Sequence, residues 1–294
     1  MKNAKALVLF FVLMACVVLP AWARHRKVVQ IVADIKKADY AGNRPALRRL
    51  YAEIEPLTHN QRDNRLASRI RYWRGFAMWR SAQNGFNEMA SPNELEEELN
   101  LAVTEFDQAS TLDPDFADAK IADSSCLGNL AYLHRSEPDK MRPYIMRIIP
   151  LMQEAHKQEP DNPRWYWVQG PVYWSQPAER GGGQDKAFEN YAKGLDAARK
   201  QKPSTDPLEP SWGEAELLMN IAWSNLHRKN PDLKAADQYA HDALKLVPTW
   251  HYVRDILIPQ IKEEHIKAVQ CPTTSGDVIV SSASQPAHYE QPVK

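Results

Sequence analysis

The stretch Ala102-Val103-Thr104-Glu105-Phe106-Asp107-Gln108-Ala109-Ser110-Thr111-Leu112-Asp113-Pro114 decides the fold class. Ala102, Phe106 and Ala109 are spaced by four and three residues, which places them on one stripe of an α-helix. Pro114 comes five residues after Ala109 and stops that helix, because it has no N–H and its ring meets the preceding turn. The same arrangement returns at Pro160, Pro203 and Pro248, at intervals of 46, 43 and 45 residues. The same offsets give Ala155, Met152 and Ile148, then Ala198, Leu195 and Tyr191, then Ala243, Ala240 and Ala236, every one small or apolar. Self-similarity at such a period is the mark of a repeat architecture, in which each unit buries its face against the next.

A partner helix precedes each striped helix, over residues 69–82, 117–133, 164–174 and 214–226. Small residue, aromatic, small residue and then proline at these steps resembles the second helix of tetratricopeptide repeats, and Ala102, Phe106, Ala109 and Pro114 match all four positions. The resemblance covers about residues 64–250. It implies an all-α chain folded as a right-handed superhelix of antiparallel helix pairs, a tetratricopeptide-like solenoid. Gly75 and Gly170 fall where the family places a small residue for tight contact within a pair. The intervals exceed the family's ~34 residues and approach those of HEAT-like pairs, which stand as the structural alternative.

Pro171 is expected to kink its helix, and Pro143 and Pro150 to interrupt the helix before Pro160. Residues 28–38 and 45–54, joined by Gly42-Asn43, make an opening hairpin within 24–60. Repeats occupy 61–249. In a capping helix over 250–268, Trp250, Val253, Leu257 and Ile261 share the inner face, while Arg254, Lys262, Glu263 and Glu264 take water-facing positions. Residues 269–294, rich in Ser, Thr, Pro and Gln, read as a disordered tail.

Residues 1–23 read as an export signal: Lys2 and Lys5, an apolar run over 6–19, and Ala21-Trp22-Ala23 as the cleavage site. Two alternatives are an uncleaved anchor, which the basic Arg24-His25-Arg26-Lys27 favours, and a lipid on Cys16 within Leu13-Met14-Ala15-Cys16. The expected location is periplasmic or secreted. With 37 basic and 37 acidic residues, the chain has no net field to attract nucleic acid. Hydrophobic residues make up 44% of the chain, with nine Trp and eleven Tyr, enough material for a core. Cys126 and Cys271 are expected to be free thiols, since one is mid-helix and the other in the tail.

No zinc-protease, nucleophile-elbow or Walker pattern occurs, and the nine histidines are scattered. No metal site, cofactor or catalytic residue is expected. His241 and His251, the nearest ordered pair, do not share a helical face. Gly181-Gly182-Gly183 ahead of a helix could hold an anion, but it lacks phosphate-loop spacing and reads first as a turn. A related turn followed by Lys-Ala occurs in secreted bacterial tetratricopeptide proteins, some resembling accessory subunits of solute uptake systems. Residues 162–195 resemble that set most closely.

Tyr72 and Trp79 flank Gly75 as Trp167 and Trp174 flank Gly170, three before and four after. In the family that offset lines the concave surface where partners dock. Phe76 and Trp223 fall near it, with Arg69 and Arg164 at the helix starts, whereas Trp165 and Tyr166 are expected to face the partner helix. The expected site is therefore Tyr72, Phe76, Trp79, Arg164, Trp167, Trp174 and Trp223, set against the alternative that these rings are core. The reading is a noncatalytic scaffold holding a protein or peptide partner in that groove; the alternative is a small-solute binder or transport accessory of the cell envelope with an aromatic pocket around Trp167 and Trp174.

Overall fold

The computed structural model describes residues 21–59 and 61–270. The expected export signal up to residue 20, Cys16 and the tail from residue 271 with Cys271 lie outside the described residues. Among those described there are eleven α-helices and no strand. An opening hairpin is made by α1 (Ala21–Tyr40) and α2 (Arg44–Ile54), turned at Gly42 with φ +67°. Four pairs follow: α3 (Asn64–Asn87) with α4 (Pro92–Leu112), α5 (Ala117–Leu133) with α6 (Pro138–Gln158), α7 (Pro163–Ser175) with α8 (Gln184–Lys200), and α9 (Glu214–His227) with α10 (Leu233–Leu246). A π-helical segment, Tyr252–Leu257, leads into α11 (Ile258–Gln270).

Local chemistry fixes these boundaries. Asn43, Asp63, Ser91, Asn162 and Asp232 each accept a hydrogen bond from a backbone N–H in the first turn of the helix they precede, filling donors that a helix start leaves open. Pro45, Pro92, Pro138 and Pro163 occupy the first turns, where the missing N–H costs nothing.

Ten of the twelve striped positions are buried, and Ile148 and Ala198 are partly buried. Ala102, Phe106, Ala109, Ala155, Ala236, Ala240 and Ala243 have no exposed surface, and Met152, Tyr191 and Leu195 are buried. Each helix packs on its pair partner, and α1, α3, α5, α7 and α9 also touch in succession, which is the nesting of a solenoid. Gly75 and Gly170 are required by close approach: a Cβ on Gly75 would lie 3.0 Å from Glu105 Cβ, and one on Gly170 only 1.9 Å from the Tyr191 ring.

One proline expectation fails: helix α6 runs unbroken through Pro143 and Pro150. Pro171 lies inside α7, which continues past it to Ser175. Of α6 only Met152 and Ala155 are buried, and both of its inner prolines are exposed, so water can satisfy the carbonyls left without an N–H partner.

The two ends of the stack meet. Tyr40 at the end of α1 packs edge-on against Trp250 with centroids 5.3 Å apart, and its hydroxyl donates to Glu216 Oε1 at 2.6 Å. The turn at Gly42 abuts the His251 ring.

Asp123, on buried α5, is 1% exposed; Arg147 from α6 donates to its Oδ2 at 3.1 Å and also reaches Asp107 on α4. Burial, reinforced by the Asp107 charge, pushes the Asp123 carboxyl up to about 7 despite the arginine. A carboxyl whose folded pKa exceeds its unfolded 3.8 contributes stability that is fully present below pH 4 and lost as pH rises through 7. Asp123→Asn should therefore flatten the fall in melting temperature between about pH 4 and 7; an unchanged pH profile would refute the assignment. Gly170→Ala should cost about 1–3 kcal/mol, the usual range for overpacking, measured by urea denaturation, because Tyr191 has to move.

Candidate functional site

Helices α3, α5, α7 and α9 form the inner wall. Their N-terminal ends converge on the connection between α8 and α9, residues 201–213, which folds back across that wall. Leu208 is 1% and Trp212 8% exposed. The Trp212 indole sits among Phe76, Trp79 and Trp167, with centroids 6.0, 5.6 and 5.4 Å away, and its Nε1–H donates to the Tyr72 hydroxyl at 3.0 Å. Tyr72 in turn touches Phe106 and Phe116. Offset and edge-on contacts at these distances are each worth about 0.5–1.5 kcal/mol beyond area burial.

Charged side chains clamp the same connection. Arg69 donates to Glu209 Oε2 at 3.0 Å and to Asp113 Oδ2 at 2.7 Å, with its guanidinium 3.5 Å from the centre of the Phe116 ring. Arg65 adds a bond to Glu209 Oε1 at 2.7 Å. Arg164, 2% exposed, forms a two-pronged pair with Asp118, one prong 3.0 Å, and donates to the Trp212 carbonyl at 3.0 Å.

Of the seven residues expected to line a groove, Tyr72, Phe76, Trp79, Arg164 and Trp167 are therefore in the core, each at most 3% exposed. All five contact Trp212 on the connection. Residues 206–213 of the chain itself cover these five side chains. Trp165 packs flat on His156 of α6, with centroids 4.3 Å apart, and Tyr166 lies against Gly194 of α8.

Trp174 and Trp223 differ, for both keep partial exposure. They lie at the C-terminal ends of α7 and α9, away from the connection, with centroids 5.6 Å apart. Phe188 is 6.2 Å from Trp174, and the His227 ring is 4.3 Å from Trp223. Burial pulls His227 down to about 4, so it is neutral at physiological pH, and its Nε2 has no hydrogen-bond partner among the described residues. Two cations edge this rim: the Arg228 guanidinium is 5.2 Å from the Phe188 ring centre, and the Lys186 ammonium 5.9 Å from that of Tyr173. Reading the sequence missed Phe188, His227, Arg228 and Lys186, because only the fold brings the ends of α7 and α9 beside the start of α8.

The glycine-rich segment is a turn, with φ +82° at Gly181 and +103° at Gly183, and the Gly183 N–H donates to Tyr173 O at 2.8 Å. That bond positions Tyr173 and the start of α8 at the rim. Cys126 is a buried free thiol. No group of three or more metal-ligating side chains that could hold an ion occurs among the described residues, and no helix there is long and apolar enough to cross a membrane.

No protein-family model matches the chain, and no curated protein matches it. Among solved structures the fold is similar to the HusA haemophore from Porphyromonas gingivalis, over 70% of this chain and 95% of that one, with 19% identity and a TM-score of 0.54. At that identity the likeness shows a shared helical fold.

Breaking the Arg164–Asp118 pair should expose its energetics. Arg164→Leu should cost about 3–5 kcal/mol by leaving a buried carboxylate uncompensated, and Arg164→Leu with Asp118→Leu should recover most of it. Equal losses in the single and double variants, by urea denaturation, would contradict this.

Proposed function

We propose that the protein is an exported, noncatalytic binding protein, built from overlong tetratricopeptide-like helix pairs, and that its ligand is a planar, amphipathic ring of the porphyrin class held at the aromatic rim. The observation that carries this reading is the partly exposed cluster of Trp174, Trp223 and Phe188 with Arg228 and Lys186 at its edge. Aromatic faces offer a flat apolar ligand large contact area at small rotamer cost, and paired cations suit carboxylates at the ligand's periphery. The fold shared with a haemophore points the same way. A protein or peptide partner, the other reading open from the sequence, has less support, since the inner face is occupied by residues 206–213. Export rests on the sequence of residues 1–23.

The test is titration of the purified protein, lacking residues 1–23, with haemin and with metal-free protoporphyrin, followed by tryptophan quenching and by absorbance. Both ligands should bind. Trp174→Ala and Trp223→Ala should each weaken binding about tenfold, equivalent to ~1.4 kcal/mol, with little change in melting temperature. Failure of either porphyrin to bind at micromolar concentration would end the assignment of ligand class, and binding indifferent to both substitutions would move the site elsewhere.

A further inference from the structure

We propose that residues 203–213 are a strap that opens and closes as a unit over the inner aromatic wall, while the helix pairs behind it stay folded. This goes beyond the ligand reading and does not depend on it. Loops longer than about 12 residues without internal secondary structure are uncommon in compact domains and tend to be functional. This connection runs from Gln201 to Gly213, yet it is anchored across sequence separations of 135 to 175 residues, as in Trp73 Nε1 to Leu208 O at 2.7 Å and Lys36 Nζ to Ser211 Oγ at 3.2 Å.

How it is anchored sets it apart from the helices. Among the described residues, the backbone-to-backbone hydrogen bond made within 203–212 is Glu209 N–H to Asp206 O, at 3.2 Å, and no such bond joins these residues to a helix. Side chains of α1, α3 and α7 supply the attachment. Lifting the segment therefore breaks no helical ladder, and α8 and α9 keep their own hydrogen bonds.

Pivots and free space are both present. Residues 201–205 are exposed at one end, and Gly213 has φ +136° at the other, a conformation other residues resist. A half-open pocket of about 340 Å³ borders the strap, lined by Glu159, Arg164, Gln201, Ser204 and Trp212, so the segment is not packed along its whole length. The Glu209 carboxylate, clamped by Arg65 and Arg69, is the latch nearest solvent, with Arg65 largely exposed. Salt screening weakens such a latch selectively. Opening uncovers Tyr72, Trp73, Phe76 and Trp79 as an accessible wall.

Thiol trapping in the full chain tests this. In a Cys16→Ser, Cys271→Ser background, Leu208→Cys places a buried thiol on the strap, while native Cys126, with no exposed surface, reports opening of the helix stack. Under native conditions the strap thiol should be modified at least about tenfold faster than Cys126, a difference of ~1.4 kcal/mol in opening. Glu209→Gln, or a rise in salt, should speed the strap thiol further and leave Cys126 unchanged. If Leu208→Cys does not fold, Pro210→Cys serves as the reporter, since Pro210 is also buried. Equal modification rates for strap and Cys126, before and after Glu209→Gln, would overturn the proposal by making residues 203–213 an inseparable part of the core.

Discussion

The inner aromatic wall of the stack owes its cover to one indole, that of Trp212. Helices α1, α3, α5, α7 and α9 touch in succession, and α3 and α7 carry Tyr72, Phe76, Trp79 and Trp167 on the side that the connection covers. Left in water, four large rings would forgo roughly 1.5–3 kcal/mol of burial each. Trp212 packs on those rings, and Tyr40 meets Trp250 where the two ends of the stack touch. The connection between α8 and α9 thus supplies apolar surface to that side of the helix pairs.

Charge determines where that indole sits. Apolar rings tolerate several arrangements of an indole, because edge-on contacts differ little in energy. The buried Arg164–Asp118 pair tolerates far fewer, since its hydrogen bonds have to be made once both groups are desolvated, and it fixes the Trp212 carbonyl as an additional acceptor. Arg80 with Asp39, joined at 2.8 Å and both nearly buried, does the same between α3 and α1. Such pairs add little net stability relative to apolar packing, and their effect here is to select one register among several of similar apolar energy.

The repeating order of small, aromatic and proline positions made the helix pairs legible, because a period near 3.6 and a hard stop are local properties of a chain. Ala117–Leu133 comes out at its expected bounds, and the stripe Ala236, Ala240 and Ala243 is as buried as its spacing demands. Prolines misled where the helix was exposed: Pro143 and Pro150 forbid a buried ladder but are tolerated on α6, whose outer side faces water. The inner-face register of Tyr72, Trp79 and Trp167 was also legible. That the face is covered was not, because the cover is 204–212, a Ser-, Thr- and Pro-containing stretch with no periodicity, whose partners lie about 140 residues away. Only the alternation of Leu208, Pro210 and Trp212, all buried, carried a trace of it.

Closure of the interior also decides which aromatics stay available. The strap's contacts reach Trp79 on α3 and Trp167 on α7, and among the described residues they stop short of the C-terminal ends of α7 and α9. Trp174 and Trp223 stand at those ends, which is why two members of one stripe keep a surface that Trp167 and Trp79 lose. A helix C-terminus favours cations, and Arg228, the residue that ends α9 with its N–H on Ser224 O, has that plain structural reason to be present. Helix capping does not require a guanidinium to approach an aromatic ring, however, and Arg228 lies near Phe188 of the neighbouring pair. The charge that completes one helix is thereby turned toward the rings of the next, joining an apolar face to a cationic edge at the end of the stack that the described residues leave partly exposed.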